Sequence, residues 1–211
     1  MVNKVNKVST ILNLYAGIGG NRRLWGDAYE VVAVESDERI AEVYSALYPN
    51  DIMLVGDALE ALETISHEFD FIWSSPPCQS HGQYRHNVGV LGKGYTPLVP
   101  DMTSLYGQIV FLQTYYRGLW VVENTVPYYT PLIPYTAKLQ RHLFWSNFDI
   151  PVVDIHSAGL RTKNKISDFD SYEVLDQSKI PNKRQVLRNC VDAQIGLHIL
   201  ECAIKNDREG N

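Results

Sequence analysis

Short apolar runs bounded by turn residues recur along the chain at Ser9–Tyr15, Val31–Glu35, Ile52–Val55, Phe69–Trp73, Leu119–Val122 and His142–Asn147. Runs this short and this rich in branched and aromatic side chains read as buried strands. Between them, Arg39–Leu47 and Met102–Arg117 carry helical spacing, so strand and helix alternate. That alternation predicts an α/β fold, a doubly wound and mostly parallel sheet with helices on its faces. A chain of 211 residues can bury about 70% of its unfolded surface around one core, so residues 1–211 are expected to form a single domain. Sheets of this type bind ligands beyond the carboxyl ends of their strands, which makes the residues that follow each run the ones to read for chemistry.

The first run, Ile11-Leu-Asn-Leu-Tyr15, passes straight into Ala16-Gly-Ile-Gly-Gly20 and then Asn21-Arg-Arg-Leu-Trp25. Glycines there let a ligand approach the backbone, and the following helix start offers free N–H groups. The pattern Gly17-x-Gly19-Gly20 departs from the G-x-G-x-x-G of dinucleotide sites, and by itself an ordinary tight turn explains it as well. Glu35 ends the second run, where a carboxylate accepts bonds from both hydroxyls of a ribose, and no basic neighbour favours a 2′-phosphate. Asp57 stands at the next strand end, in Leu54-Val-Gly-Asp57-Ala58. Acids at both positions suit a nucleoside ligand without phosphate, such as S-adenosylmethionine; helix capping accounts for the same two acids.

Phe69-Asp-Phe-Ile-Trp73 leads to Ser74-Ser-Pro-Pro-Cys78-Gln79, which sets a thiol on a turn stiffened by two prolines. Such a thiol, near helix ends, is expected to have a depressed pKa and to act as a nucleophile, whereas Cys190 and Cys202, on a periodic C-terminal segment, read as core. Three scattered cysteines make no disulfide framework and fit a reducing compartment. Leu119-Trp-Val-Val-Glu123-Asn124 puts a carboxylate after four apolar residues, where desolvation should raise its pKa enough to hold a proton near neutrality. A thiol and a proton donor facing one pocket are the pair needed to add a nucleophile to an electron-poor heteroaromatic ring.

Nineteen Lys and Arg against twenty-four Asp and Glu give a formal charge of −5, which excludes a protein that grips polyanions by being basic all over. Phosphate contacts must be local. Two irregular stretches stand out, 79–101 with its four glycines and 152–184 with Arg161, Lys163 and Lys165; long loops inside a compact domain usually carry function. The N-terminus has no signal-peptide apolar core and no run reaches the ~20 apolar residues of a membrane span, so a soluble, intracellular protein is expected.

The order of these motifs resembles the DNA cytosine-5 methyltransferase family, across nearly the whole chain. Asn13-Leu-Tyr-Ala-Gly-Ile-Gly-Gly20 is similar to its cofactor loop, which assigns Asn13, Tyr15, Gly17, Gly19 and Gly20 to the cofactor, with Tyr15 as the aromatic that packs on it. Glu35 and Asp57, with Ala58 beside the latter, match the ribose and adenine acids. Pro77-Cys78-Gln79 matches the nucleophile motif, and Glu123-Asn124-Thr125-Val126 resembles Glu-Asn-Val. Leu187-Arg-Asn189-Cys-Val191 is similar to the last motif, Gly-Asn-x-Val, which returns Asn189 and Val191 to the cofactor pocket, although Arg188 stands where the family has glycine. The family's Gln-x-Arg-x-Arg motif falls on Lys138-Leu-Gln140-Arg141-His142, with both arginines replaced; Gln140 and Arg141 become the candidates for its role, and on a strand Arg141 would face away.

The resemblance implies a Rossmann-like sheet of the S-adenosylmethionine-dependent methyltransferase type. It implies methyl transfer to C5 of cytosine, with Cys78 adding at C6 and Glu123 bonding N3 and the exocyclic amine. The partner would be double-stranded DNA with the cytosine flipped out. Residues 79–101 would close over it, with Gln79, Arg85 and Lys93 against the DNA. Residues 148–185 would form a reduced target-recognition region presenting Arg161, Lys163, Lys165, Lys183 and Arg184. Small orphan members of this family occur in bacteriophages, so DNA methylation or restriction-modification in the cytoplasm of a bacterial or infected cell is the expected setting. The chain would act as a monomer or a homo-oligomer, away from membranes, without a metal. Two alternatives remain: a related enzyme acting on RNA or a nucleotide, and a catalytically weak, cofactor-dependent DNA-binding accessory protein.

Overall fold

The computed structural model describes residues 8–83, 87, 99–155 and 182–209. The strands are β1 (Thr10–Leu14), β2 (Glu30–Glu35), β3 (Ile52–Val55), β4 (Phe71–Ser74), β5 (Leu119–Thr125), β6 (Ala137–Leu139) and β7 (His142–Ser146). They form one sheet in the order β3-β2-β1-β4-β5-β7-β6. The first five are parallel, and β7 runs antiparallel to both β5 and β6. The expected α/β doubly wound, mostly parallel sheet is therefore what the chain builds.

Among the described residues, the α-helices with both ends defined are α1 (Glu38–Leu47), α2 (Ala58–Ile65), α3 (Gln108–Tyr115), α4 (Lys183–Asn189) and α5 (Ala193–Glu209). Asp37 and Asp57 start α1 and α2 as N-caps, each accepting from a backbone N–H two residues on. Alternation along the central strands sorts their side chains onto two faces. Ile11, Val31, Phe71, Trp73, Val121 and Phe144 pack with Ile195 and Ile199 of α5. Leu12, Leu14, Val34, Ile72 and Val122 pack on the other face with Leu62 of α2 and Ile109 and Leu112 of α3. Both faces are covered, which is why these runs are apolar throughout instead of alternating with polar residues. Among the described strands, only the edge strand β3 leaves its apolar side chains in solvent, with Ile52, Leu54 and Val55 exposed.

Strand order reverses between β1 and β4, and a doubly wound sheet opens its ligand crevice there. Register sets Leu14 opposite Ser74, so the glycine loop and the Pro-Pro-Cys turn leave the sheet side by side.

Three expectations change. The helix expected over Met102–Arg117 is a π-helical stretch, Thr103–Gly107, followed by the shorter α3. The run expected to end at Val122 continues to Thr125, which puts Glu123 and Asn124 inside β5, opposite Phe144 and Leu143 of β7. Strand β6 was not foreseen; Leu139 pairs with His142, so Gln140 and Arg141 form the hairpin turn rather than strand positions.

Candidate active site

The loop after β1 is shaped by backbone conformations that most residues avoid. Tyr15 has φ 55°, Gly17 56° and Gly19 77°, left-handed values that favour glycine and strain tyrosine. A side chain at Gly19 would meet the Tyr48 ring at 2.3 Å, and one at Gly20 would meet Cys190 Cβ and the Val191 carbonyl oxygen at 2.8 Å. The loop is thus held between α1 and the segment joining α4 to α5. Beside Gly17, by contrast, nothing among the described residues lies within 4 Å of where a Cβ would stand.

Glu35 does not cap a helix. Its Oε2 accepts from the Gly17 amide at 3.0 Å, and its Oε1 accepts from the amides of Ser36 and Asp37 at 2.9 and 3.0 Å. A half-buried carboxylate is thereby fixed at the rim of the open side of the loop, with lone pairs remaining for further donors. Asp57 does cap α2, but both of its bonds, from Leu59 and Glu60, fall on Oδ1. Its charge helps raise the Tyr15 phenol to about 12, after burial as the main cause, which places the two side chains within each other's field. These two acids and the open cradle at Gly17 fit an uncharged ribonucleoside such as that of S-adenosylmethionine. Asn13 is buried and accepts from Asn21 Nδ2 at 2.9 Å beneath the loop, so it supports the loop from below. Ala58 is the buried first residue of α2, Val191 is buried against Gly20, and Pro77 and Asn189 are exposed.

Cys78 lies across the crevice. Its carbonyl accepts from the amides of His81 and Gly82, and Asn124 Nδ2 donates to the Pro76 carbonyl at 3.0 Å, tying the thiol's turn to β5. Burial, and then the Glu123 charge, push the Cys78 thiol up to about 11, with Arg141 opposing. The expected depressed pKa is therefore corrected: the pocket is too dry to favour a thiolate.

Glu123 behaves as its sequence context predicted. Burial raises it to about 7, against the Ser75 hydrogen bond and the Arg141 charge. His142 Nε2 stands 3.7 Å from its Oε1. Burial holds that imidazole down to about 3, so His142 carries no charge here and the contact is not an ion pair. The His142 Nδ1 has no partner among the described residues.

Arg141 sits on the β6–β7 turn, where strand alternation does not govern it, and its charge reaches Cys78, Glu123 and Cys190. Its guanidinium donates to the carbonyl of Arg188 near the end of α4, a bond that satisfies one of the acceptors left over at a helix C-terminus. Gln140, at φ 51°, points elsewhere and donates to the Ile155 carbonyl at 3.3 Å. Of that candidate pair, Arg141 is the one that the fold brings to the thiol and the acid.

Sequence reasoning missed Ser75, His81 and His142. His81 is fully buried, with Nδ1 2.5 Å from the Tyr129 hydroxyl. Each is adjacent to a motif already recognised, and proximity to it was the available signal. Gln79 is exposed beside Cys78, and Lys183 opens α4. Arg85, Lys93, Arg161, Lys163 and Lys165 lie outside the described residues, as does the side chain of Arg184. Among the described residues no cluster of His, Cys, Asp and Glu could hold a metal, and no helix is long and apolar enough to cross a membrane.

With the loop, the acids and the thiol at one sheet edge, the family comparison applies to the segment that carries them. Residues 9–102 match the C-5 cytosine-specific DNA methylase family. The matching segment takes in β1 to β4 and the Cys78 turn; Glu123, Arg141 and Asn189 lie beyond it. No curated protein sequence matches the chain. Among solved structures, a conserved hypothetical protein of Streptococcus pyogenes is 14% identical over 67% of this chain and 86% of its own, with a TM-score of 0.40. DNMT2 of Spodoptera frugiperda is 22% identical over 56% of this chain, TM-score 0.37, and the methyltransferase EhMeth of Entamoeba histolytica is 16% identical over 57%, TM-score 0.36. The alignments cover 35% and 39% of those last two chains.

Proposed function

We propose that this chain transfers a methyl group from S-adenosylmethionine to C5 of cytosine in DNA through a covalent Cys78 adduct at C6. The observation that carries this reading is the pairing of Cys78 with Glu123: Asn124 bonds Pro76, so the strand bearing the acid holds the turn bearing the thiol, beside a glycine loop in a segment that matches cytosine-specific methylases. S-adenosylmethionine, when bound, supplies an electrophilic methyl group. Glu35 would take the ribose hydroxyls and Asp57 the adenine amine, while the open side of Gly17 admits the ligand.

Before substrate enters, Cys78 is held as the thiol near neutral pH, and Glu123, raised to about 7, carries a proton in a large share of the molecules. A cytosine inserted between them changes that balance. Glu123 gives its proton to N3, the partly exposed Cys78 thiol passes its proton to solvent water as its sulfur bonds to C6, and the C5–C6 π pair displaced by that bond makes C5 nucleophilic. After C5 is methylated, water removes the C5 proton, its electron pair re-forms the C5–C6 double bond as the C6–sulfur bond breaks, the released thiolate takes a proton back from solvent, and N3 returns its proton to Glu123. Arg141 offsets the negative charge that passes through the thiol and the carboxylate, an effect strengthened by the dry pocket.

The test combines tritium transfer from labelled cofactor to duplex DNA, RNA and dCMP with trapping on a duplex containing 5-fluorocytosine, whose fluorine cannot leave C5 as a cation. The expected result is transfer to the duplex and a stable adduct that Cys78→Ser abolishes. Transfer to RNA or dCMP alone would move the substrate, and an adduct surviving Cys78→Ser would remove the thiol from the mechanism.

A further inference from the structure

Gln108 is nearly fully buried, and buried amides are rarely kept without a full set of partners. Its Nε2 donates to the Tyr15 hydroxyl at 2.8 Å and to the Ser104 carbonyl at 2.6 Å, and its Oε1 accepts from the Ser74 hydroxyl at 2.6 Å. Those partners belong to three different parts of the site. Tyr15 is the left-handed residue that opens the glycine loop, and Ser74 is the last residue of β4, four positions before Cys78. Ser104 lies in the π-helical stretch, anchored by Asp101, whose own amide donates to Ser80 Oγ beyond the thiol.

The π stretch explains how Gln108 gets there. One extra residue in a turn rotates everything after it by about 100° relative to a regular helix. Here that rotation directs a polar side chain at the switch point between β1 and β4, on a helix whose other inward residues, Ile109 and Leu112, are apolar. Next to Ser74, Ser75 accepts from the Trp73 indole at 2.8 Å and hydrogen-bonds Glu123. The chain of bonds therefore runs from the cofactor loop through Gln108 to the strand end that carries the thiol and supports the acid.

We infer that Gln108 is a positioning residue that couples the glycine loop to the Cys78 turn, so that occupation of the cofactor side orders the nucleophile side. This rests on the functional reading above. Neither partner would be left free to shift alone: a change in the Tyr15 hydroxyl position disturbs an amide whose other end holds Ser74.

The test is amide hydrogen exchange at Ser75, Cys78 and Gln79, with and without S-adenosylhomocysteine, alongside calorimetry for the ligand. In the unsubstituted protein the ligand is expected to slow exchange at these amides at least ~5-fold, the lower end of ordinary coupling between sites. Ser74→Ala, which removes one hydroxyl, and Gln108→Leu are expected to lose that slowing, with ligand affinity in Ser74→Ala changed less than ~3-fold. Gln108→Glu, measured at a pH low enough to keep the carboxyl protonated, keeps an acceptor for Ser74, donates its O–H to the Ser104 carbonyl and accepts from the Tyr15 hydroxyl, so it should retain the slowing. Slowing that persists in Ser74→Ala overturns the coupling, as does its loss in Gln108→Glu with the fold intact. Absence of any calorimetric signal in the unsubstituted protein overturns the functional reading itself, and the coupling with it.

Discussion

Glu123 and His142 are buried neighbours whose ionisation equilibria pull stability in opposite directions. The folded protein holds Glu123 at about 7 against an ordinary 4.5, so its neutral form is the one that folding favours. That contribution is fully present below pH 4.5 and is lost as pH rises through 7, by up to ~3 kcal/mol at about 1.4 kcal/mol per unit. His142, at about 3 against 6.5, does the reverse: its contribution is complete above 6.5 and is lost as pH falls toward 3. Glu123→Gln is therefore expected to raise the melting temperature relative to the unsubstituted protein at about pH 8 and to change it little at about pH 4.5. His142→Phe should gain only on the acid side. Thermal melts across pH decide this, and equal offsets at both ends would show that neither group titrates as its burial implies. The residue-level reading of Glu123 succeeded because four preceding apolar residues announce a dry site. For Cys78 the same dryness was overlooked: prolines explain where the thiol stands but not that its surroundings exclude water.

At the scale of elements, the central parallel strands were legible because both their faces are covered and their sequences are mostly apolar. What escaped was polar residues acting as structure. Glu123 and Asn124 look like a strand exit, yet β7 pairs with them and carries β5 on to Thr125. The π stretch was invisible for a related reason, since inserting one residue leaves helical spacing on either side intact. Gly196 shows the converse, a residue that looks costly in a helix and is required by packing. A Cβ there would stand 2.1 Å from the Asn21 carbonyl oxygen, where α5 crosses the helical turn Arg22–Leu24 and Trp25 Nε1 donates to the Gly196 carbonyl. Gly196→Ala should cost about 1–3 kcal/mol as an overpacked contact, and because Asn21 also bonds Asn13 under the glycine loop, it should weaken S-adenosylhomocysteine binding as well. Chemical denaturation and calorimetry on the same variant test both parts; lost stability with undiminished binding would separate α5 from the loop.

Across the whole molecule, the crevice draws on widely separated stretches: the glycine loop, the Cys78 turn, β5, the β6–β7 turn and the segment between α4 and α5. The sheet end bearing the first four follows from strand order alone. The fifth does not, because no periodicity in residues 183–191 says that they return to residue 20. Yet that return closes the site, with Cys190 and Val191 against Gly20 and Arg141 on Arg188. Trp25 and Gly196, which meet beside it, are 171 residues apart in sequence. During synthesis at about 5–20 residues per second, the glycine loop would leave the ribosome roughly 10–35 s before its back wall does. Methyl donor in the cell would then find nothing to bind on an unfinished chain. Chains stalled on the ribosome after Ile155 are expected not to crosslink to a photoactivatable S-adenosylmethionine analogue that labels the released protein, and labelling of the stalled chains would show that the first half assembles its pocket unaided.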